Sequence, residues 1–176
     1  MKKFLVISAL GNDRPGIVNE LSRPIVEAGC NIEASRMTVL GGEFALMLMI
    51  SGNWSAVAKL ESQLPGLEKK LGLAVFSKTT EPRPTQQNMV PYVVDVVAMD
   101  HPGIVHHIAD FFAGQAINIE EMSTWTYPAA HTGTPMFSLS MTVSVPAELN
   151  IGRLRHEFTG FCDDLNLDAT LEPARH

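Results

Sequence analysis

Two short segments of the sequence carry residue types that can hold an anion next to the start of a helix. They are Asp13-Arg14-Pro15-Gly16-Ile17-Val18 and, 87 residues further on, Asp100-His101-Pro102-Gly103-Ile104-Val105. Aspartate can accept amide hydrogen bonds of a first helical turn, proline suits the opening position of a helix, and glycine lets a small ligand approach closely. Such a helix start can bind a carboxylate. The competing interpretation is that these residues simply form a good strand-to-helix turn.

Several titratable residues lie in and just after the second of these segments. His106 and Asp110 are four residues apart and would share a helical face, with His101 and His107 close by in sequence. Such a pair can contribute to a zinc site, but zinc needs a third protein ligand, which the sequence does not identify. Exposed or capping histidines are the favoured interpretation, and no nucleophile motif is present. A metal-dependent enzyme is therefore a minor alternative, and no cofactor is predicted.

The composition excludes other classes of function. Of the 176 residues, 45% are hydrophobic and 18% charged, which is typical of a globular protein. The net charge is −6 and the 13 basic residues are scattered, which disfavours direct nucleic-acid binding. Cys30 and Cys162 cannot form a disulfide framework and are predicted to be buried and reduced. Because no signal-peptide cleavage site follows Phe4–Leu10 and no apolar run reaches ~20 residues, we expect a soluble cytoplasmic protein without a membrane segment.

The repeated motif belongs to a longer internal duplication. The same offset carries Asn31-Ile32-Glu33 onto Asn118-Ile119-Glu120, and the register slips by six residues only at Phe44 and Phe137. We assign the extra residues to a loop within Tyr127–Pro135. A stretch rich in proline and polar residues separates the two copies. The sequence therefore predicts a first domain over residues 1–79, a linker over 80–91 and a second domain over 92–176.

Hydrophobic periodicity gives each copy the element order βαββαβ, the split pattern of the ferredoxin-like fold. The predicted class is α+β, with two antiparallel sheets and helices on one face of each. The elements predicted for the first copy are Lys3–Ala9, a helix from Pro15 to Gly29, Arg36–Leu40, Glu43–Ser51, Trp54–Leu71 and Ala74–Lys78. Those predicted for the second are Tyr92–Met99, Gly103–Gln115, Ile119–Thr126, Met136–Val145, Glu148–Leu165 and Leu167–Leu171.

The helices of the first copy carry apolar faces and two prolines. The predicted core faces consist of Ile17, Val18, Leu21, Ile25 and Ala28 in one helix and Trp54, Val57, Leu60, Leu64, Leu67 and Leu71 in the other. A proline inside a helix removes an amide donor and costs roughly 3 kcal/mol. We therefore expect a kink or break near Arg23, before Pro24, and an interruption of the second helix at Pro65-Gly66.

At the motif, each copy resembles an ACT domain. The matching residues are Asp13, Pro15, Gly16, Ile17, Asn31 and Ile32, and then Asp100, Pro102, Gly103, Ile104, Asn118 and Ile119. ACT domains bind amino acids or other small metabolites, and the resemblance implies a ligand at the domain–domain interface, against the strand–helix turn. In the first copy it assigns ligand binding to Asn12, Asp13, Arg14, Pro15, Gly16, Ile17 and Asn31. In the second copy it assigns Asp100, His101, Pro102, Gly103 and Asn118, with His101 in place of Arg14.

The tandem arrangement resembles ACT-domain regulators of transcription. This resemblance implies a repressor that responds to glycine or another amino acid and acts through a transcriptional activator protein rather than by reading DNA. A homo-oligomer is left open. The alternative is an interaction module that needs no ligand, because the methionines of Met47-Leu48-Met49 and Met136–Met141 could line an adaptable protein-binding surface. Ordinary core filling is the favoured interpretation of those methionines.

Overall fold

The computed structural model describes residues 1–175 and divides into two compact units, Met1–Pro84 and the chain from Thr85 onward. The first unit consists of β1 (Lys2–Asn12), α1 (Ile17–Glu27), β2 (Asn31–Leu40), β3 (Glu43–Asn53), α2 (Trp54–Leu71) and β4 (Ala74–Thr80). The second consists of β5 (Met89–Met99), α3 (Ile104–Gly114), β6 (Asn118–Pro128), β7 (Pro135–Pro146), α4 (Ile151–Asp164) and β8 (Asp168–Pro173). The predicted second domain ends at His176, which lies outside the described residues.

Each unit is built on one four-stranded antiparallel sheet. The strand orders are β2-β3-β1-β4 and β6-β7-β5-β8, so the first and third strands of each unit lie at the centre of its sheet. The predicted fold class, two ferredoxin-like βαββαβ units, is confirmed. No helix in the described part of the chain is long and apolar enough to span a membrane.

The core of each unit lies between one sheet face and its two helices. Every second residue of the central strands is buried, as in Leu5, Ile7 and Ala9 of β1 and Val94 and Val96 of β5. This alternation follows from the two-residue period of a strand. The second core also contains the rings of four phenylalanines, whose centroids lie 5.1–5.2 Å apart in neighbouring pairs. These residues are Phe111, Phe112, Phe158 and Phe161.

Several strands are longer than the sequence predicted. β2 begins at Asn31 rather than Arg36, so the Asn-Ile-Glu stretch lies inside the strand. β5 begins at Met89 rather than Tyr92. β6 continues to Pro128 and β7 begins at Pro135, so the loop between them consists of residues 129–134 only. Cross-strand pairing extends a strand through polar residues such as Asn31 and Glu33 and through prolines such as Pro91, which carry no strand signal of their own.

Two predicted core residues are exposed, and both prolines lie inside continuous helices. Val18 is 41% and Trp54 66% exposed. Both side chains lie outside the helix face that covers the sheet. α1 continues through Pro24 and α2 through Pro65. In α2, Leu60 and Leu64 are buried on one side while Pro65 lies on the exposed side, so packing holds the helix together despite the missing amide donor.

Replacing Pro65 should therefore stabilise the first unit. Pro65→Ala restores one helical amide, a gain partly offset by the greater freedom of the unfolded chain. We expect the free energy of unfolding of the first unit to rise by about 1–2 kcal/mol. Urea denaturation of the full chain measures this change, and a loss of stability would show that Pro65 makes a favourable contact.

Candidate ligand-binding site

The two Asp-x-Pro-Gly segments form turns that require their glycines. Gly16 has φ 84° and ψ −2°, and Gly103 has φ 94° and ψ −2°. These angles fit the third position of a type II turn, with Pro15 and Pro102 at the second. In the first unit the Ile17 amide donates to the Arg14 carbonyl over 3.4 Å. The prediction that proline opens the helix is wrong, because the proline belongs to the turn and the helix begins two residues later.

Neither α1 nor α3 is capped by a side chain. Gly16 and Gly103 occupy the cap positions, where no side-chain hydrogen bond is formed, so the predicted capping by Asp13 and Asp100 is wrong. The contacts of these aspartates are made by their backbone: the two amides donate to the carbonyl oxygens of Gly42 and Pro135, over 3.2 and 2.9 Å. With the glycine in the αL conformation, the chain enters the helix in a direction that leaves the preceding aspartate carboxylate away from the first-turn amides.

The second helix of each unit differs in this respect. The Asn53 side chain accepts from the Ala56 amide over 2.8 Å, and the Asn150 side chain accepts from the Arg153 amide over 3.0 Å. Both are ordinary asparagine N-caps. Among the four helices of residues 1–175, the two that follow Asp-x-Pro-Gly are therefore the ones whose starts lack a side-chain cap. Their amides and partial positive charge are available to an anion.

A charged side chain lies beside the first of these helix starts. Arg14 donates to both carboxylate oxygens of Glu20, over 3.2 and 2.5 Å. This hydrogen-bonded pair raises the pKa of Arg14 and lowers the pKa of Glu20. The predicted ligand contact of Arg14 would therefore share its guanidinium with Glu20. In the second unit, the His101 Nδ1 atom lies 3.2 Å from the Pro102 carbonyl oxygen instead.

The isoleucines and glycines of the motif have different surroundings. The side chains of Ile17 and Ile104 are buried in the cores of their units, where they anchor the turns. A Cβ atom placed at Gly16 would have no neighbour within 4 Å, whereas one at Gly103 would lie 3.3 Å from Nε2 of His107. The first turn is thus the more open of the two. Within residues 1–175, no group of three or more histidine, cysteine, aspartate or glutamate side chains could hold a metal ion.

Asn31 and Asn118 lie far from the turns within their own units. Along β3, Asn12 pairs with Glu43 whereas Asn31 pairs with Ser51. Eight residues of strand span about 27 Å, so the turn and Asn31 are at opposite ends of the first sheet. Asn118 has the same position in the second sheet, where it pairs with Ser144. Each unit therefore brings Asn12, Asp13 and Arg14 together, or Asp100 and His101, but not the asparagine of its second strand.

Sequence reasoning missed the role of Glu33 and Glu120. The pairing register shifts between Ile32 and Ala34 and again between Ile119 and Glu121, so each glutamate is the extra residue of a β-bulge. Glu33 accepts a hydrogen bond from Ser51 Oγ and lies 2.7 Å from Lys2 Nζ. Lys2, then Ser51 and Asn31, lower the pKa of Glu33.

The same pairing of asparagine with glutamate occurs in the second unit. Asn118 Nδ2 donates to Glu120 Oε1 over 2.7 Å. Asn31 and Asn118 thus already have a structural partner in the glutamate two residues on. The repeated Asn-Ile-Glu triplet was the sequence signal that could have revealed this contact.

Comparisons with known proteins agree with this architecture. The ACT domain family model matches residues 3–78. A crystal structure of an unknown protein from Galdieria sulphuraria is 27% identical, with a TM-score of 0.81, and the match covers 99% of this chain and 100% of that one. Together with the two βαββαβ units and their Asp-x-Pro-Gly turns, these findings define a tandem ACT-domain protein.

Two further matches identify the family within this class. The glycine cleavage system transcriptional repressor of Escherichia coli strain K12 is 34% identical over 168 residues, which cover 96% of this chain and 88% of the repressor. A crystal structure provisionally assigned to such a repressor is 31% identical, with a TM-score of 0.77, and the match covers 100% of this chain and 99% of that one. The chain belongs to the family of glycine cleavage system transcriptional repressors. By name, these relatives are repressors of transcription.

Gly16 should resist substitution because of its backbone angle rather than its surroundings. Gly16→Ala places a Cβ in open space but at a φ of 84°, so we expect a loss of about 1–2 kcal/mol in the free energy of unfolding. Gly66→Ala is the matched control, because Gly66 is helical and equally open, and should gain about 0.5–1 kcal/mol. Equal effects of the two substitutions in urea denaturation would contradict the turn assignment.

The lowered pKa of Glu33 predicts a specific loss of stability in acid. A carboxylate whose folded pKa lies below its unfolded value of about 4.3 stabilises the fold above that pH, and the contribution disappears as pH falls through the folded pKa. Glu33→Gln removes this contribution. The variant should therefore be less stable than the parent at pH 7, with the difference shrinking toward pH 3. Urea midpoints at both pH values measure it, and a difference independent of pH would refute the ionic role.

Proposed function

We propose that this chain is an amino-acid-responsive repressor of the glycine cleavage system, with glycine or another amino acid as its signal. The observation that carries the proposal is the pair of uncapped helix starts behind the Asp-x-Pro-Gly turns. An amino acid can place its carboxylate on the amides of such a start, where the helix dipole favours a negative charge. The E. coli relative, which matches nearly the whole chain, is by name a repressor of this system.

The first unit offers the better-equipped ligand site of the two. Asn12, Asp13 and Arg14 lie in sequence at the end of β1, directly before the Gly16 turn. Arg14 can contact an incoming carboxylate while it keeps Glu20 as its partner, because a guanidinium carries five donors. Asp13 can take the ammonium group of the same ligand. The site of the second unit would rely on Asp100, His101, Pro102 and Gly103 without an arginine.

We further propose that repression acts through a transcriptional activator protein in the cytoplasm. The net charge of −6 opposes direct binding to the phosphate backbone of DNA. A regulator of transcription that does not bind DNA itself acts by changing the activity of a protein that does. Ligand binding would then strengthen or weaken that protein contact by binding one state of the pair better than the other.

A specific variant tests the ligand site without altering the glycine turn. Asn19 is exposed in the first turn of α1, where an aspartate can bind the helix start itself. Asn19→Asp should keep or raise stability but weaken glycine binding at least tenfold, a loss of about 1.4 kcal/mol. Gln63→Glu adds the same charge to an exposed position of α2 and should leave affinity unchanged. Isothermal titration of the full chain measures both, and equal affinities would exclude this site.

A ligand-independent interaction module is the second candidate, favoured by one surface. The sheet face of the first unit that points away from its helices exposes Leu10, Met47 and Phe76 at 53%, 55% and 75%. The predicted core filling by methionine is therefore wrong for Met47, although Met141 is buried. An exposed apolar patch of this kind can bind a protein.

A pull-down with the full chain as bait separates the two candidates. The prey is the purified activator of the glycine cleavage genes, and the assay is run with and without glycine. We expect the amount of captured activator to change with glycine, and Asn19→Asp to remove that change. Capture that is independent of glycine would support the ligand-independent module instead.

A further inference from the structure

In each unit a short corner joins the second helix to the fourth strand, and its backbone has the same hydrogen bond in both units. Leu73 N donates to Glu68 O over 3.2 Å, and Leu167 N donates to Cys162 O over 2.8 Å. In the sheets, Val75 pairs with Ala9 and Ala169 pairs with Val96, and these partners are themselves 87 residues apart. Glu68 therefore corresponds to Cys162, and Val75 corresponds to Ala169.

In the first unit a carboxylate closes this corner. Glu68 Oε1 accepts a hydrogen bond from the Val75 amide over 2.9 Å. β4 is an edge strand, so this amide points away from β1 and needs a partner other than a neighbouring strand. The side chain of the preceding helix supplies that partner.

In the second unit the corresponding corner is open. Cys162 takes the place of Glu68 and is only 1% exposed, and its thiol has a pKa raised to about 11 by burial and by Asp163. Beside it lies a groove of about 460 Å³, lined in part by Thr159, Asn166, Asp163, Asp168 and Ala169. The corner lacks the carboxylate that fills it in the first unit.

The Ala169 amide points toward this groove rather than into the sheet. Ala174 N donates to Pro91 O over 3.0 Å, which makes that pair a hydrogen-bonded one. Hydrogen-bonded and non-hydrogen-bonded pairs alternate along an antiparallel ladder. The Ala169–Val96 pair is five positions from the Ala174–Pro91 pair, so it is a non-hydrogen-bonded pair and its Ala169 amide points away from β5. The Leu171 carbonyl agrees with this alternation. It also points away from β5, where it accepts a hydrogen bond from Arg155 Nε over 3.0 Å.

We propose that this groove binds a small zwitterion of the amino-acid class. Its carboxylate accepts from the Ala169 amide, as the Glu68 carboxylate does from Val75 in the first unit. A simple anion is disfavoured there, because Asp163, Asp168 and the carboxyl end of α4 all place negative charge at the groove. The ammonium group of the zwitterion pairs with these aspartates.

The groove is a site additional to the Asp-x-Pro-Gly turns. Its lining includes no residue from positions 100–104, so the turn and the groove can be tested separately. The amide signals of Val18 and Asn19 report the turn of the first unit in ¹⁵N–¹H spectra of the full chain. The amide signal of Ala169 reports the groove. A shift at one set of amides without the other therefore shows which of the two sites is occupied.

In the first experiment the ¹⁵N-labelled full chain is titrated separately with glycine, glutamine, acetate and methylammonium. The chemical shift of the Ala169 amide is followed in each titration. We expect a saturable shift with glycine or glutamine, and a dissociation constant at least tenfold higher for acetate and for methylammonium. A shift with neither amino acid would overturn the proposal. Acetate or methylammonium binding as tightly as the amino acids would also overturn it, because one charged group would then suffice.

The second experiment rebuilds the first unit's corner in the second. Cys162→Glu supplies the internal carboxylate, so the Ala169 amide should no longer respond to amino acids, whereas the control Cys162→Ala should keep the response. Asp163→Asn with Asp168→Asn should weaken binding about tenfold and settles the question if Cys162→Glu does not fold. An unchanged response in the folded Cys162→Glu variant, or in the aspartate double variant, would overturn the proposal.

Discussion

The left-handed glycine after the first strand of each unit is the constraint on which the candidate site depends. At φ 84° and 94°, Gly16 and Gly103 adopt a conformation that strains any residue with a side chain. That conformation turns the chain from the central strand into α1 or α3 and places Ile17 or Ile104 in the core. It also leaves the helix start without a side-chain cap. One backbone angle thus links the fold to the amides that can bind a ligand.

The two copies preserve this constraint while their surfaces have diverged. Equivalent rows on the open sheet faces consist of Phe76, Ser8 and Met47 in the first unit and of Thr170, Asp95 and Ser140 in the second. Their helix-to-strand corners differ in the same way, because one contains a carboxylate and the other an open groove. Packing in the core fixes the fold, whereas these exposed positions are free to take on separate binding tasks.

The sequence predicted most of the fold because the duplication and the hydrophobic periods agree with each other. It could not predict that Asp13 leaves α1 uncapped or that Asn31 contacts Glu33, since these depend on a backbone angle at Gly16 and on the register of β2 against β3. The bulge at Glu33 is likewise a property of cross-strand pairing. Trp54 and the continuity of α2 through Pro65 were misjudged because packing decides both. Local patterns specify elements, and tertiary contacts specify what their ends touch.

The ligand site that we propose for the first unit requires the carboxylate of an amino acid to bind at the uncapped start of α1. Titration of the ¹⁵N-labelled full chain with glycine detects this contact, because each backbone amide reports its own environment. We predict saturable shifts at Val18 and Asn19, the first-turn amides that follow Gly16, with one dissociation constant. Glycine that binds without shifting these two amides, or that does not bind at all, would contradict it.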